Sequence, residues 1–419
     1  MPNRLKKLWK SLGPGLVTGA SDDEPSGIAT YTIAGAKYGL AVLWMALFTL
    51  PLMIAVQEMC ARIGRVTGKG LAGNMKKHYP RWLLFLIAFL IVGANTINIG
   101  ADMSAMAGSV ALVMPFPQKL SAIVITLIIL LTVVVLPHKK LFSIFKWLSI
   151  SLFSYILATF TVHQDWGVIF QNLVIPQIVP SKDFLFITIA FFGTTIAPYL
   201  FFWQANQEAE ERIIEECKPG KICRLGPISE NELEGVKLDT RIGMTFSNII
   251  TFFIIILSFS TLYQAGLHNI ESLEDAAHAL RPLAGDYAYA LFTIGLLSSG
   301  FLAIPVLAGS AAYVVSEIMD WPRGLDKPFS KAKEFYGIII TSTVVGLMMP
   351  LLGFHPIKAL FYTAIIFGVI APIIISIIIH MANNKKIMGQ HVNTPVLNLL
   401  GNITLAVMSV AAISAIFII

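Results

Sequence analysis

Residues 19–29 read GASDDEPSGIA, and this stretch decides the fold. Three consecutive acids, Asp22–Glu24, precede Pro25 inside a segment whose other residues are small and apolar. A charge at the centre of a bilayer costs at least roughly 2.5–3.5 kcal/mol on insertion scales, and proline disfavours helical geometry in the residue before it. We therefore expect a membrane helix that is interrupted here and that faces a protein cavity rather than lipid.

The composition places the rest of the chain in the same class. The 419 residues are 56% hydrophobic and 13% charged, with a mean hydropathy of +0.75, whereas soluble domains carry about 25% charged residues. The pattern predicts an all-α polytopic membrane protein that forms one integral membrane domain over residues 1–419. Apolar runs near the bilayer-spanning length of about 20 residues predict eleven spans, at about 13–36, 40–61, 82–112, 118–137, 141–162, 184–209, 242–265, 286–318, 335–353, 357–381 and 395–419.

The basic residues predict the orientation. Lys and Arg concentrate in alternate loops, starting with the N-terminal segment, and such an excess is typical of cytoplasmic loops. We expect a multi-pass protein of the cell membrane with a cytoplasmic N-terminus and, after eleven spans, an outside C-terminus. The net charge of +6 then reflects topology and contact with anionic lipid of the bilayer, and no nucleic-acid partner is expected.

A second interruption is predicted in the sixth span, at GTTIAPY, residues 193–199. Breaks at matching places five spans apart indicate an inverted-repeat transporter with its site near the midplane. We predict a LeuT-like 5+5 arrangement, with repeats at about 13–162 and 184–381 and an additional helix at about 395–419. The alternative is a pair of ordinary proline kinks.

Acids beside a broken helix favour a cation site. Unwound backbone exposes carbonyl oxygens, which are hard ligands for cations, whereas an anion favours helix N-termini and arginine. The acids argue against a second class of substrate, amino acids and other organic solutes with a carboxylate. An enzyme is not expected, because no H-E-x-x-H or G-x-S-x-G motif occurs, and neither is a cofactor.

Four stretches carry a resemblance to a known family. GPGLVTGASDDEPSGIATYTIAGAKYG, EMCARIGRVTGKGLA, GADMSAMAGSVALV and GTTIAPYLFFWQA resemble the Nramp family of divalent metal transporters. In the first break, the resemblance implies that the family's metal-binding Asp falls on Glu24, its Gly on Ser26 and its Asn on Gly27. In the second, the metal-binding Met falls on Ala197, the following His on Tyr199 and a carbonyl ligand on Thr194.

The differences from the family pattern change which class of metal ion the site favours. The thioether and amide ligands are missing here, while Asp22 and Asp23 are additional acids beside Glu24. Thioethers favour transition metals, and Mg²⁺ is often bound through a few carboxylates with waters retained. The site therefore looks like that of the Nramp-related magnesium transporter branch, and we expect Mg²⁺ uptake by alternating access. The alternative is a proton-coupled Mn²⁺ or Fe²⁺ transporter of the Nramp type.

Further polar residues are predicted to line the ion pathway. Asn95, Asn98 and Asp102 form one stripe of the third span; the alternative for the asparagines is hydrogen bonding between helices. Gln204 and Gln207 are candidates for the cytoplasmic exit. The remaining pathway candidate is Asn248 in the seventh span.

Two further expectations concern coupling and assembly. The histidines that the family uses for proton coupling are replaced, and all eight histidines of this chain lie in loops or near span ends. Because histidine is the usual relay at physiological pH, we expect no obligatory proton coupling. We expect a monomer or a weak oligomer.

Overall fold

The computed structural model describes residues 13–114, 116–217, 225–270, 273–354 and 356–418. Within these ranges the regular structure is helical and no β-strand occurs. The α-helices are α1 (Pro14–Asp22), α2 (Pro25–Tyr38), α3 (Leu43–Thr67), α4 (Leu71–His78), α5 (Arg81–Val113), α6 (Gln118–Val135), α7 (His138–Ser151), α8 (Phe153–Thr159), α9 (Trp166–Val174), α10 (Lys182–Thr195), α11 (Pro198–Glu216), α12 (Glu230–Ser258), α13 (Leu273–Met319), α14 (Lys333–Leu352), α15 (Pro356–Asn383), α16 (Lys385–Met388) and α17 (Pro395–Ile418).

Ten stretches of the described ranges are long and apolar enough to cross a membrane, which confirms the all-helical membrane class. The first of them, Pro25–Thr67, has 43 residues. A continuous helix of that length would measure about 65 Å, more than twice the hydrocarbon thickness of about 30 Å. It is in fact two helices, α2 and α3, separated by a 3-10 turn at Gly39–Val42 in which Gly39 has a positive φ of 56°.

Contacts with α12 show that the chain reverses at this turn. Along α1 and α2, Gly15 lies against Thr240 and Gly35 against Ile255, so both helices run in the same direction as α12. Along α3 the order is opposite, because Asn248 donates to the sulfur of Met53 whereas the earlier Arg241 pairs with the later Glu58. The ten stretches therefore contain eleven crossings, as predicted.

The second broken helix is the most enclosed crossing. In the stretch Lys182–Glu216, 83% of the apolar window is buried, against 33% in Gln118–Val135 and Pro395–Ala415. The latter two expose their apolar side chains as lipid-facing helices do. The second break is thus at the centre of the bundle, where a site shielded from lipid can form.

The starts of two helices, α12 and α13, differ most from the predicted ones. α12 begins at Glu230, twelve residues before the predicted start, because Ser229 and Glu232 form a capping box that continues the helix through polar sequence. α13 contains a non-helical residue, Gly285, with φ 83°, and the predicted eighth span begins directly after it. The short helices α4 and α9 have no predicted counterpart, since neither is long enough to span a bilayer.

Candidate functional site at the two helix breaks

The first break is confined to two residues. Only Asp23 (φ −82°, ψ 49°) and Glu24 (φ −70°, ψ 167°) leave helical geometry. Pro25 occupies the first position of α2, where its fixed φ suits a helix start and where an N–H would have no acceptor within α2 itself. Ser26 and Gly27 consequently lie in the first turn of α2, and the Ser26 hydroxyl donates to the carbonyl of Leu360 at 3.2 Å.

The second break is equally compact. Ile196 (φ −112°, ψ 58°) and Ala197 (φ −81°, ψ 125°) separate α10 from α11, which again begins with a proline. An α-helix bonds each carbonyl to the amide four residues later, and Pro198 has no amide hydrogen to offer Thr194. The carbonyl of Thr194 is therefore left without its helical donor, and its role as a ligand, which the family resemblance implies, stays a prediction.

The two breaks lie against each other. The Tyr199 hydroxyl, at the start of α11, donates to the carbonyl of Ser21 in α1 at 2.8 Å. The hydroxyls of Tyr31 in α2 and Thr195 in α10 are 3.1 Å apart. The first half of each broken helix is thus bound to the second half of the other, which is the antiparallel arrangement expected of an inverted pair.

Two of the acids face α12. The Ser247 hydroxyl donates to Asp22 Oδ2 at 3.0 Å, and the Thr251 hydroxyl donates to Asp23 Oδ1 at 3.3 Å. The second oxygen of each carboxylate has no hydrogen-bond partner among the described residues, and both side chains are fully buried.

The third acid points towards α5. Glu24 is 1% exposed, and within the described part of the chain neither of its carboxylate oxygens has a hydrogen-bond partner. Asn98 is the side chain on α5 that faces it, and Asp102 lies close enough for the two carboxylates to repel each other. Both oxygens of the buried Asp102 are likewise unpartnered in the described ranges. The structure therefore brings Glu24, Asn98 and Asp102 together.

The asparagines of this stripe also bond to neighbouring helices. Asn95 donates to the carbonyl of Leu307 in α13 at 3.0 Å, while Asn98 accepts from the Thr363 hydroxyl in α15 at 2.8 Å. The side-chain nitrogen of Asn95 thus forms a hydrogen bond between helices, as the alternative prediction has it. Asn98 still directs its side-chain nitrogen, unpartnered among the described residues, into the site.

The acids do not converge on one point. Among the described residues, no three His, Cys, Asp or Glu side chains are placed to hold a metal ion together, because Asp22 and Asp23 face α12 while Glu24 faces α5. A cation bound at the breaks would contact one or two of these carboxylates and take its remaining ligands from carbonyl oxygens and water. This is the ligand set of a hard cation.

Below the second break, one face of α11 leads away from the site. Gln204 donates to Glu208 at 3.1 Å. Glu208 and Glu211 line a cavity of about 260 Å³ that extends to Asp239 of α12, beside the start of α1. The exit predicted for Gln204 is compatible with this placement.

Gln207 and Asn248 bond to neighbouring helices, and their predicted pathway roles stay predictions. Gln207 donates to the Tyr313 hydroxyl of α13 at 3.0 Å and lines a second cavity together with Glu211 and Gly13. Asn248 bonds to α3 through Met53 and accepts from the Thr49 hydroxyl at 3.3 Å. The side chains of α12 that reach the acids are Ser247 and Thr251, which share a face because they are four residues apart.

Asp239 is a residue that the sequence reasoning missed. Its carboxylate accepts from the amides of Gly13 at 2.9 Å and Gly15 at 2.7 Å, which are unpaired donors at the start of α1. The same helices meet closely further along, where a Cβ built on Gly243 would lie 1.9 Å from the carbonyl oxygen of Gly15. The first half-helix is thus fixed to α12 at its N-terminal end.

The EMCARIGRVTGKGLA stretch, residues 58–72, anchors the scaffold. Arg62 donates to the carbonyl of His391 at 2.9 Å, between α16 and α17. Glu317 of α13 accepts from the amides of Gly70 and Gly73, both at 2.8 Å. The stretch therefore ties the end of α3 to distant helices.

Comparisons with known proteins agree with this architecture. Residues 15–418 match the family model described as natural resistance-associated macrophage protein-like, Nramp. A divalent metal cation transporter MntH of Caldanaerobacter subterraneus subsp. tengcongensis is 25% identical over 407 residues, covering 95% of this chain and 90% of the relative. The MntH of Agrobacterium fabrum is 27% identical over 395 residues, covering 85% and 81%.

Solved structures share the fold. A manganese transporter of Eremococcus coleocola, in complex with an aromatic bis-isothiourea substituted compound, superimposes with a TM-score of 0.72 at 17% identity, covering 97% of this chain and 86% of that one. Mhp1, a nucleobase-cation-symport-1 family transporter in a closed conformation, gives a TM-score of 0.54 at 14% identity, covering 97% and 92%.

Proposed function

The chain belongs to the Nramp family, and on that premise we propose that it carries a divalent metal cation across a membrane by alternating access. The observation that carries the proposal is the meeting of two broken helices around three buried acids. Within the described residues, both oxygens of Glu24 and one oxygen each of Asp22 and Asp23 lack a hydrogen-bond partner. The relatives whose names state a function are metal transporters, which supports a transported metal rather than an enzymatic reaction.

We further propose that the preferred ion is Mg²⁺. The donors at the breaks are oxygens, from Glu24, from Asp22 or Asp23, and from the carbonyl of Thr194, and Ala197 offers no sulfur. An oxygen-only set favours Mg²⁺ and Ca²⁺, whereas a thioether favours softer transition metals. The assignment of these residues as ligands is part of the proposal.

Two oxygens lie close to Gly27 and support a partly hydrated ion. A Cβ built on Gly27 would lie 3.1 Å from the carbonyl oxygen of Asp22 and 3.5 Å from the Thr194 hydroxyl. The Thr194 hydroxyl has no hydrogen-bond partner in the described ranges. An unpartnered hydroxyl and a backbone carbonyl oxygen beside the break are partners that a bound water can use, since a buried water needs two to four of them, and Mg²⁺ usually keeps several waters.

Uptake measured in proteoliposomes tests the proposal. Wild-type protein should transport Mg²⁺ in preference to Mn²⁺, and Glu24→Ala and Asp23→Ala should each reduce uptake. The comparison of these two variants also identifies which acid holds the ion. Absence of divalent-metal uptake by folded wild-type protein would contradict the proposal.

The second candidate is a proton-coupled manganese transporter. It is favoured by the fold that this chain shares with the manganese transporter of Eremococcus coleocola. Against obligatory coupling, the position after Pro198 holds Tyr199, whose hydroxyl is bonded to Ser21. We propose metal uptake without obligatory proton coupling, with Asp102 as a residue of the ion pathway.

We also propose a cytoplasmic N-terminus, an outside C-terminus and a monomer or weak oligomer. The repeats at about 13–162 and 184–381 are part of the same proposal. A membrane-impermeant thiol reagent should label Lys119→Cys in intact cells and leave Lys140→Cys unlabelled. The reverse pattern would invert the orientation.

A further inference from the structure

The carbonyl of Ser21 occupies an unusual position at the first break. Ser21 is fully buried in the last turn of α1, and its helical donor would be the amide of residue 25. That residue is Pro25, which has no amide hydrogen. The carbonyl would thus be exposed within the break, one turn from Glu24, if nothing else bonded to it.

Tyr199 supplies the missing donor from the other broken helix. Its hydroxyl donates to the Ser21 carbonyl at 2.8 Å. The residue is held in place independently, because the Ser310 hydroxyl donates to its carbonyl at 2.9 Å and its ring lies 5.6 Å from that of Phe367. The phenol is fully buried, so this hydrogen bond is a fixed part of the site.

The hydroxyl has one proton and two acceptors within reach. Glu24 is the second acceptor beside it, but the hydrogen bond is made to Ser21. A tyrosine hydroxyl donates only once. The carbonyl is therefore engaged, while the carboxylate of Glu24 stays available to a cation.

We propose that Tyr199 is a specificity-determining residue, whose hydroxyl withholds the Ser21 carbonyl from the cation and leaves that coordination position to water. The inference rests on the proposed cation transport at the same site. Ca²⁺ takes six to eight oxygen ligands in flexible geometry, whereas Mg²⁺ takes six and keeps several waters. Withholding one backbone oxygen therefore disfavours Ca²⁺ more than Mg²⁺.

Tyr199→Phe removes the hydroxyl alone and tests the proposal. Calorimetry on the purified full-length chain should give dissociation constants for Ca²⁺ and for Mg²⁺, or for Mn²⁺ if wild-type protein binds that ion alone. We expect Tyr199→Phe to shift the ratio of the two constants about tenfold in favour of Ca²⁺, the size of one net ligand interaction near 1.4 kcal/mol. A residue with only a structural role would weaken both ions together.

Tyr31→Phe is the matched control. It removes the other hydroxyl that joins the two breaks, at Thr195, but Thr195 keeps its own bond to the carbonyl of Phe191 at 2.8 Å. No carbonyl is released, so the ratio should stay within about twofold of wild type, a change too small to represent a ligand. An unchanged ratio in Tyr199→Phe, or an equal shift in Tyr31→Phe, would overturn the inference.

Two further measurements keep the test decisive. If Tyr199→Phe does not fold, Tyr199→Leu also removes the hydroxyl, adds no metal ligand and should show the same shift; an unchanged ratio there also overturns the inference. Wild-type protein that binds no divalent ion refutes the proposed function itself, whereas wild-type binding with an unshifted Tyr199→Phe ratio refutes only the role of Tyr199.

Discussion

Replacing Glu24 by Gln should stabilise the ion-free protein and abolish its stabilisation by metal. Glu24 is 1% exposed, and neither of its oxygens has a hydrogen-bond partner within the described residues. A buried group left unpaired costs about 1–3 kcal/mol, and more when it is charged, while a neutral amide is less costly to bury. We expect the free energy of unfolding without metal to rise by roughly 1 kcal/mol or more.

The second half of the prediction concerns the ion. A ligand present at 100 times its dissociation constant stabilises the folded state by about 2.7 kcal/mol. Thermal unfolding in detergent, with and without saturating Mg²⁺ or Mn²⁺, should show this gain for wild-type protein and little of it for Glu24→Gln. The variant is then more stable than wild type without metal and less responsive with it.

Glu210→Gln is the matched control. Glu210 is also buried in a broken-helix span, but its carboxylate accepts from the Tyr313 hydroxyl, from the Leu325 amide at 3.2 Å and from the Asp326 amide at 2.6 Å. Hydrogen bonds to a charged group contribute about 1.5–3 kcal/mol each, so this substitution should destabilise the protein and leave the metal response intact. The reasoning fails if Glu24→Gln destabilises the ion-free protein as Glu210→Gln does, or if it keeps the metal response.

Four other substitutions have defined outcomes. Ala197→Met should raise the preference for Mn²⁺ over Mg²⁺ in proteoliposome uptake, because it adds a soft ligand; an unchanged preference would contradict the oxygen-only argument. Wild-type uptake should not acidify the lumen under an inward metal gradient; acidification that Asp102→Ala abolishes would show proton coupling. Gly243→Ala should lower the free energy of unfolding by about 1–3 kcal/mol, since its Cβ would lie 1.9 Å from the Gly15 carbonyl oxygen. Gly235→Ala on the same helix meets no atom of the described residues within 4 Å and should be neutral or stabilising in the same unfolding assay.

The breaks could be predicted because their cause is covalent. Pro25 and Pro198 lack an amide hydrogen wherever they occur, and each begins a half-helix within a few residues of the predicted place. The number of crossings could be predicted because each crossing needs an apolar run of about 20 residues. These features depend on local chemistry that can be read directly from the chain.

The orientation of side chains around a helix could not be predicted equally well. Ser247 and Asn248 are neighbours in sequence but project about 100° apart around α12. Which of them faces Asp22 depends on how α12 rotates against α3, where Met53 and Thr49 bind Asn248. The polar composition of this segment predicted that it lines the site, but the packing of α12 against α3 determines which of its side chains face the acids.

Long-range contacts were also beyond the reach of the sequence. The amides of Gly13 and Gly15 meet Asp239, which is more than 220 positions away along the chain. An aspartate in a polar helix start is typical of a solvated surface. Only the folded arrangement shows that it closes the end of another helix.

That closure limits how often the first half-helix can leave its place. Two hydrogen bonds to a carboxylate contribute about 1.5–3 kcal/mol each, so releasing both Gly13 and Gly15 from Asp239 without replacement would be unfavourable by roughly 3 kcal/mol or more. At a factor of ten for every 1.4 kcal/mol, the detached form would be populated in about one molecule in a hundred or fewer. The rarity of that form, rather than the binding of the ion, would then govern how frequently the cavity beside Glu208 opens to the site.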